Sequence, residues 1–123
     1  MTEPNEPPFQ VHREQQRDAV IVRASGDLDA FSIDELAEHL AAAEATTTPP
    51  APLLLDLTDV TYLSSAGIAT LVIHTKRYAE LGRHFRVVAD QPAVLRPMAL
   101  TGADEAIDIA PTLEQAIDAA SPG

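Results

Sequence analysis

Ser64 and Ser65 are two adjacent hydroxyls followed by Ala66 and Gly67, and they lead into Ile68, Leu71, Val72, Thr75 and Ala79, a run spaced for one face of a helix. One reading of the pair is structural. Serine caps a helix well because its oxygen accepts from a backbone N–H that has no partner in the first turn. The second reading is functional, since a helix N-terminus presents free amides and a positive dipole end, where an added phosphate is tolerated. The two readings are compatible.

Other chemistry is thinly supplied. His12, His39, His74 and His84 form no pair at metal-ligand spacing with an acidic partner on one helix face. The segment Leu63-Ser64-Ser65-Ala66-Gly67 lacks the first glycine of a serine-hydrolase elbow, and no glycine-rich loop ends in Lys-Ser or Lys-Thr. With no cysteine, disulfides, thiolate nucleophiles and iron–sulfur ligation are all removed. Asp56, near the end of the apolar run Leu53–Leu57, invites comparison with a phosphoaccepting aspartate of receiver domains. That comparison fails at the N-terminus, where a receiver opens strand–helix and this chain opens strand–strand, so Asp56 is expected to be a turn or cap residue. No catalytic residue, metal or cofactor is expected, and the chain reads as a non-enzyme.

Charge narrows the partners. The 123 residues carry a net charge of -11, and such a surface repels phosphate backbones and anionic lipid, which are bound through clustered Lys and Arg. Lys76, Arg77, Arg83, Arg86 and Arg96 gather in the second half, and cations there are read as partners of a helix C-terminus. Direct nucleic-acid binding is not expected. No apolar run approaches the ~18 residues of a membrane span, and the opening MTEPNEPP is acidic and proline-rich where a signal peptide is basic and then apolar. The expected setting is the cytoplasm, without membrane contact.

The elements that position the serines follow from periodicity. Residues 1–8 read as a disordered tail and 9–120 as one domain. Phe9, Val11 and Arg13, a polar turn from Glu14 to Asp18, and Ala19–Ala24 predict an antiparallel hairpin, closed by Gly26-Asp27-Leu28-Asp29. Ser32 with Glu35 reads as a capping box for a helix of about 13 residues with Ile33, Leu36, Ala37, Leu40 and Ala43 inward. The segment Thr46–Pro52 is a proline-rich loop. Leu53–Leu57 is a central strand, and the helix after Ser65 ends at Gly82. Phe85–Ala89 is the next strand, 92–101 a short helix disturbed by Pro97, Ile107–Ala110 a last strand, and Thr112 with Gln115 opens a terminal helix with Leu113, Ala116, Ile117 and Ala120 inward. The order is ββαβαβαβα. Strand–helix–strand units with short links demand parallel strands, so the fold class is α/β: a mixed sheet with an N-terminal antiparallel hairpin and about four helices packed on it.

Three stretches carry a family resemblance: Gly26-Asp27-Leu28-Asp29, then Leu55-Asp56-Leu57-Thr58-Asp59-Val60-Thr61-Tyr62-Leu63 leading into Ser64-Ser65-Ala66-Gly67-Ile68, and Pro92 through Leu100-Thr101-Gly102. From about Phe9 to Ala119 the chain resembles the STAS domain family, in particular its freestanding bacterial anti-sigma factor antagonists. The resemblance implies partner switching. Such a protein binds an anti-sigma factor of histidine-kinase-like ATPase fold, frees the sigma factor, and is released when that kinase phosphorylates a serine or threonine just before the motif glycine. In register, that family's Asp falls on Ser64, its first Ser on Ser65, its phosphoacceptor on Ala66 and its Gly on Gly67.

Ala66 has no hydroxyl. Three outcomes follow, in order of preference: an antagonist whose binding is not switched by phosphorylation there, a phosphate moved to Ser65, or a domain repurposed as scaffold or ligand sensor. Loops after neighbouring strands gather at one end of a sheet, so Asp27, Asp29, Ser64, Ser65, Ala66 and Gly67 are expected to border the partner. For Asp27 and Asp29 simple turn chemistry is an equal alternative. A homodimer face, if present, would use Tyr62 and the exposed side of the second helix. The alternative function is a STAS module that binds a small molecule or nucleotide.

Overall fold

The computed structural model describes residues 9–120, and the expected tail, 1–8, lies outside them. The elements are β1 (Gln10–Gln16), β2 (Ala19–Leu28), α1 (Ile33–Thr46), β3 (Leu53–Leu63), α2 (Ser65–Glu80), β4 (Phe85–Val88), α3 (Pro92–Thr101), β5 (Ile109–Ala110) and α4 (Leu113–Ala120), with one 3-10 turn at Ala103–Glu105. The sheet order is β1-β2-β3-β4-β5. Only β1 runs antiparallel to its neighbour, and β2, β3, β4 and β5 are mutually parallel. This is the expected mixed sheet and element order.

The hairpin is tighter than expected. Pairing continues to Gln16↔Ala19, so only Arg17 and Asp18 make the turn, and Arg17 takes a positive φ of 56°. β1 is mostly exposed and polar, which suits an edge strand that must not recruit another chain.

Both faces of the sheet are covered, by unequal layers. Val20, Val22, Leu53, Leu55, Leu57 and Val87 pack against Leu36, Leu40 and Ala43 of α1, Ile68, Leu71 and Tyr78 of α2, and Val94 and Met98 of α3. On the other face Ala19, Ile21, Leu54, Val88 and Ala110 meet Ala116 and Ile117 of α4, with Leu113 beside them; the side chain of Ala120 lies outside the described residues. Each fully buried leucine contributes about 2–3 kcal/mol by leaving water. In α2 the inward stripe runs through Tyr78, which is buried, and not through Ala79, which is exposed. Tyr78 lies three residues after Thr75 and seven after Leu71, which keeps it on the Leu71 face at helical spacing.

Asp56 is neither turn nor cap. It lies within β3, 3% exposed, where Arg23 of β2 donates to its Oδ2 at 2.8 Å and the Thr58 amide and hydroxyl donate to its Oδ1. Arg23 also clamps Glu14 of β1 at 2.7 Å. Three neighbouring strands are thus joined on the face that the short α4 leaves partly open. A buried carboxylate is acceptable there because its charge and lone pairs are matched.

The helix ends show which sequence signals were met. Gly82 closes α2 with φ 71°, its amide bonding Ala79 O and that of Arg83 bonding Tyr78 O, the double bond of a Schellman motif. The Gln115 amide donates to Thr112 Oγ1 at 3.1 Å, as expected at α4. The capping box at Ser32 does not form, since Ser32 makes no side-chain cap to α1. Pro97 sits within a continuous ten-residue α3.

The cations of the second half are largely occupied. Arg77 pairs with Glu44, Arg86 with Asp108, and Arg83 bonds the last carbonyls of α1 and the Thr47 hydroxyl. They tie helices and strands together.

Candidate partner-binding site

β3 is twice as long as the apolar run Leu53–Leu57 suggested, because it keeps pairing with β2 through two irregularities. Arg23↔Asp56 is followed by Ser25↔Asp59, and Gly26↔Val60 by Asp27↔Tyr62, so β3 carries an extra residue at each step. Gly26, at φ 90°, supplies a backbone that other residues rarely adopt. The carbonyls freed at these bulges are not left bare: Gln91 Nε2, at the start of α3, donates to Leu57 O at 2.7 Å and to Val60 O at 2.9 Å. The sequence offered no local sign of this role, which depends on residues more than thirty positions apart.

The extension brings the two predicted segments together. Leu28 pairs with Leu63, Ser64 N donates to Leu28 O at 3.0 Å, and Thr61 Oγ1 donates to Asp27 Oδ1 at 3.3 Å. Asp27 lies inside β2, not in a turn after it. Ser64 is the N-cap of α2, extended at φ -84° and ψ 173°, and accepts from Gly67 N at 3.1 Å. Ser65 is exposed at the first helical residue, Ala66 is half-buried and Gly67 is buried. A Cβ on Gly67 would stand 2.6 Å from Leu28 O, so glycine is required for α2 to rest on β2.

The β2–α1 turn is equally constrained. Ser32 Oγ donates to Asp27 O at 2.8 Å and accepts from Asp29 N at 2.9 Å, while Asp29 Oδ1 accepts from Phe31 N at 2.9 Å. The buried Ser32 hydroxyl therefore braces the turn, which is why it is unavailable to cap α1. Asp29 does turn chemistry, the alternative left open for it. Asp27, Asp29 and Ser64–Gly67 share one end of the sheet, as expected from parallel β2 and β3. Phe31 follows in the β2–α1 turn, two residues after Asp29, at 96% exposure. Sequence reasoning passed over Phe31, although a large apolar residue in a polar turn, off the α1 periodicity, is a usable signal.

A second feature distinguishes this end. From Val60 to Thr75 there is no Asp, Glu, Lys or Arg, in a chain that is 22% charged. Tyr62 and Ile73 are both more than half exposed along it. Among the described residues no group of His, Asp and Glu is placed to hold a metal, and no helix is long and apolar enough to cross a membrane.

The STAS domain family matches residues 10–116, nearly all of the described chain. The chain belongs to the STAS domain family. Among its relatives, the anti-sigma-F factor antagonist RsfA of Mycobacterium tuberculosis is 30% identical over 101 residues, covering 82% of this chain and 79% of that protein. An anti-sigma factor antagonist from Mycobacterium paratuberculosis has a similar structure, with a TM-score of 0.81 at 29% identity over 98% of both chains. The STAS fold extends to SpoIIAA in its unphosphorylated form, an anti-sigma factor antagonist with TM-score 0.68 and 18% identity, covering 91% of this chain and 95% of SpoIIAA. At that identity the likeness is one of fold.

Proposed function

We propose that this STAS domain is an anti-sigma factor antagonist: it binds an anti-sigma factor, of kinase-like ATPase fold, and so releases a sigma factor to RNA polymerase. The observation that carries the reading is the convergence of the β2–α1 turn and the α2 N-terminus into one surface, in a chain 30% identical to an anti-sigma-F factor antagonist. The partner surface comprises Asp27, Asp29, Ser64, Ser65 and Ala66, with buried Gly67 seating them against β2, and is continued by the uncharged run to Thr75. Interfaces are depleted of charge at their centres, and this run is the longest stretch of the sequence without Asp, Glu, Lys or Arg, with Tyr62 and Ile73 exposed along it.

Control by phosphate at Ala66 is chemically closed, since a methyl group accepts no phosphoryl transfer. Ser64 is engaged as the helix cap, which leaves Ser65 as the exposed hydroxyl of the segment. The preferred reading is an antagonist that stays binding-competent in the presence of ATP and works in the cytoplasm. Its acidic surface, at -11, makes it sensitive to any further negative charge at the interface.

The test mixes the purified chain with a preformed sigma–anti-sigma complex, with and without ATP, and follows both by size-exclusion chromatography and intact-mass spectrometry. The reading expects free sigma factor in both conditions and an unmodified chain. Sigma factor that stays bound overturns the function, and stoichiometric phosphoserine at Ser65 overturns the proposed lack of switching.

A further inference from the structure

A phenylalanine exposed on a hydrogen-bonded turn is an unusual thing for a surface to maintain. Phe31 has 96% of its surface in water, yet its backbone amide is fixed to Asp29 Oδ1 and the adjacent Ser32 is buried and bonded to both Asp27 O and Asp29 N. The backbone that carries the ring is thus fixed, so only the two side-chain torsions of Phe31 are left to order when a partner buries it. Beside it lies a cleft of about 350 Å³ lined by Phe9, Asp27, Asp29, Phe31, Ser32 and Glu35.

The charges around this cleft are uncompensated. Elsewhere four arginines are committed to carboxylates: Arg23 to Glu14 and Asp56, Arg77 to Glu44, Arg86 to Asp108, Arg17 to Asp118. Among the described residues, no ion pair reaches Asp27, Asp29 or Glu35. The cleft therefore joins carboxylates to two aromatic rings. That combination suits an arginine or lysine side chain, whose cation is attracted both by the acids and by a ring face.

Resting on the antagonist reading, we propose that Phe31 is the anchor of the interface and that the adjoining cleft takes a cationic side chain of the anti-sigma factor. Phe31 enters an apolar pocket of the partner, and the partner's arginine or lysine lies against Phe31 and Glu35. This defines specificity, because a partner lacking the cation would leave the carboxylates desolvated and unpaired.

The experiment measures binding of the full chain to the purified anti-sigma factor by calorimetry at low and high salt, for wild type, Phe31→Ala, Phe31→Tyr and Glu35→Gln. Since Phe31 and Glu35 are exposed, all variants should melt with the wild type. Phe31→Ala is expected to weaken binding roughly 10- to 100-fold, with Phe31→Tyr close to wild type. Glu35→Gln should weaken binding at low salt and flatten its salt dependence. Phe31→Ala binding within twofold of wild type overturns the anchor, and unchanged salt dependence in Glu35→Gln overturns the cationic partner. Failure of the wild-type chain to bind any anti-sigma factor would instead remove the antagonist reading itself.

Discussion

A Cβ on Gly67 would lie 2.6 Å from the backbone oxygen of Leu28, the same oxygen that accepts from Ser64 N. The start of α2 and the end of β2 are thus in direct backbone contact, with no side chain between them. That contact fixes how the end of β2, which leads into the turn bearing Phe31, meets the Ser64–Ala66 segment.

Gly67→Ala follows directly. The obstacle is backbone and cannot rotate away, and Leu63 Cδ1 at 2.8 Å closes a second side. Overpacking of this kind costs about 1–3 kcal/mol, set against a gain of up to about 1 kcal/mol from alanine's helix propensity. The variant should be destabilised in urea denaturation and should bind the anti-sigma factor more weakly. Unchanged stability would mean that α2 has room to move.

Gln91→Leu tests how the long β3 is held. Its side-chain amide satisfies Leu57 O and Val60 O where β3 bulges. Removing it should cost about 1–2 kcal/mol and speed amide hydrogen exchange selectively between residues 59 and 63. Uniform exchange rates across β3 would show that the bulges need no brace.

The response to acid has a definite sign. Glu14 is held below the ordinary glutamate value of 4.5 chiefly by its hydrogen bond from Arg23, and Glu44 likewise by Arg77. A carboxylate depressed in the folded state contributes stability above its unfolded pKa, and that contribution is lost as pH falls through the folded value. Stability should therefore decline from about pH 4.5 downward. The double variant Glu14→Gln, Glu44→Gln should show a shallower decline in denaturation midpoints measured from pH 6 to pH 3. An equally steep decline would place the acid response elsewhere.

Much of the frame was legible because its causes are local. Proline and glycine punctuation, two-residue alternation and helical spacing predicted the five strands and four α-helices in order, though not the 3-10 turn at Ala103–Glu105. Asp56 was misread because its meaning lies in Arg23, a neighbour only after β2 and β3 pair. Ser32 with Glu35 carried a capping signature, yet the Ser32 hydroxyl was claimed by Asp27 and Asp29 in a tertiary turn. The length of β3 was hidden for a similar reason, since bulges interrupt the alternation that marks a strand. At the site, Asp27, Asp29 and Ser64–Gly67 were placed together by topology alone, whereas Phe31 required the exposure of its ring to be seen.

Ala66 offers the most direct test of the central claim, that the Leu63–Ile68 segment faces the anti-sigma factor. Ala66 is half-buried on the first turn of α2, inside the proposed interface, where a long cationic side chain would stand between the two proteins. Titration of wild type and Ala66→Arg against the purified anti-sigma factor by calorimetry should show saturable binding for the first. For the second, binding should weaken at least about 100-fold, equivalent to about 3 kcal/mol, with an unchanged circular dichroism spectrum. An Ala66→Arg protein that binds as tightly as wild type would contradict the account.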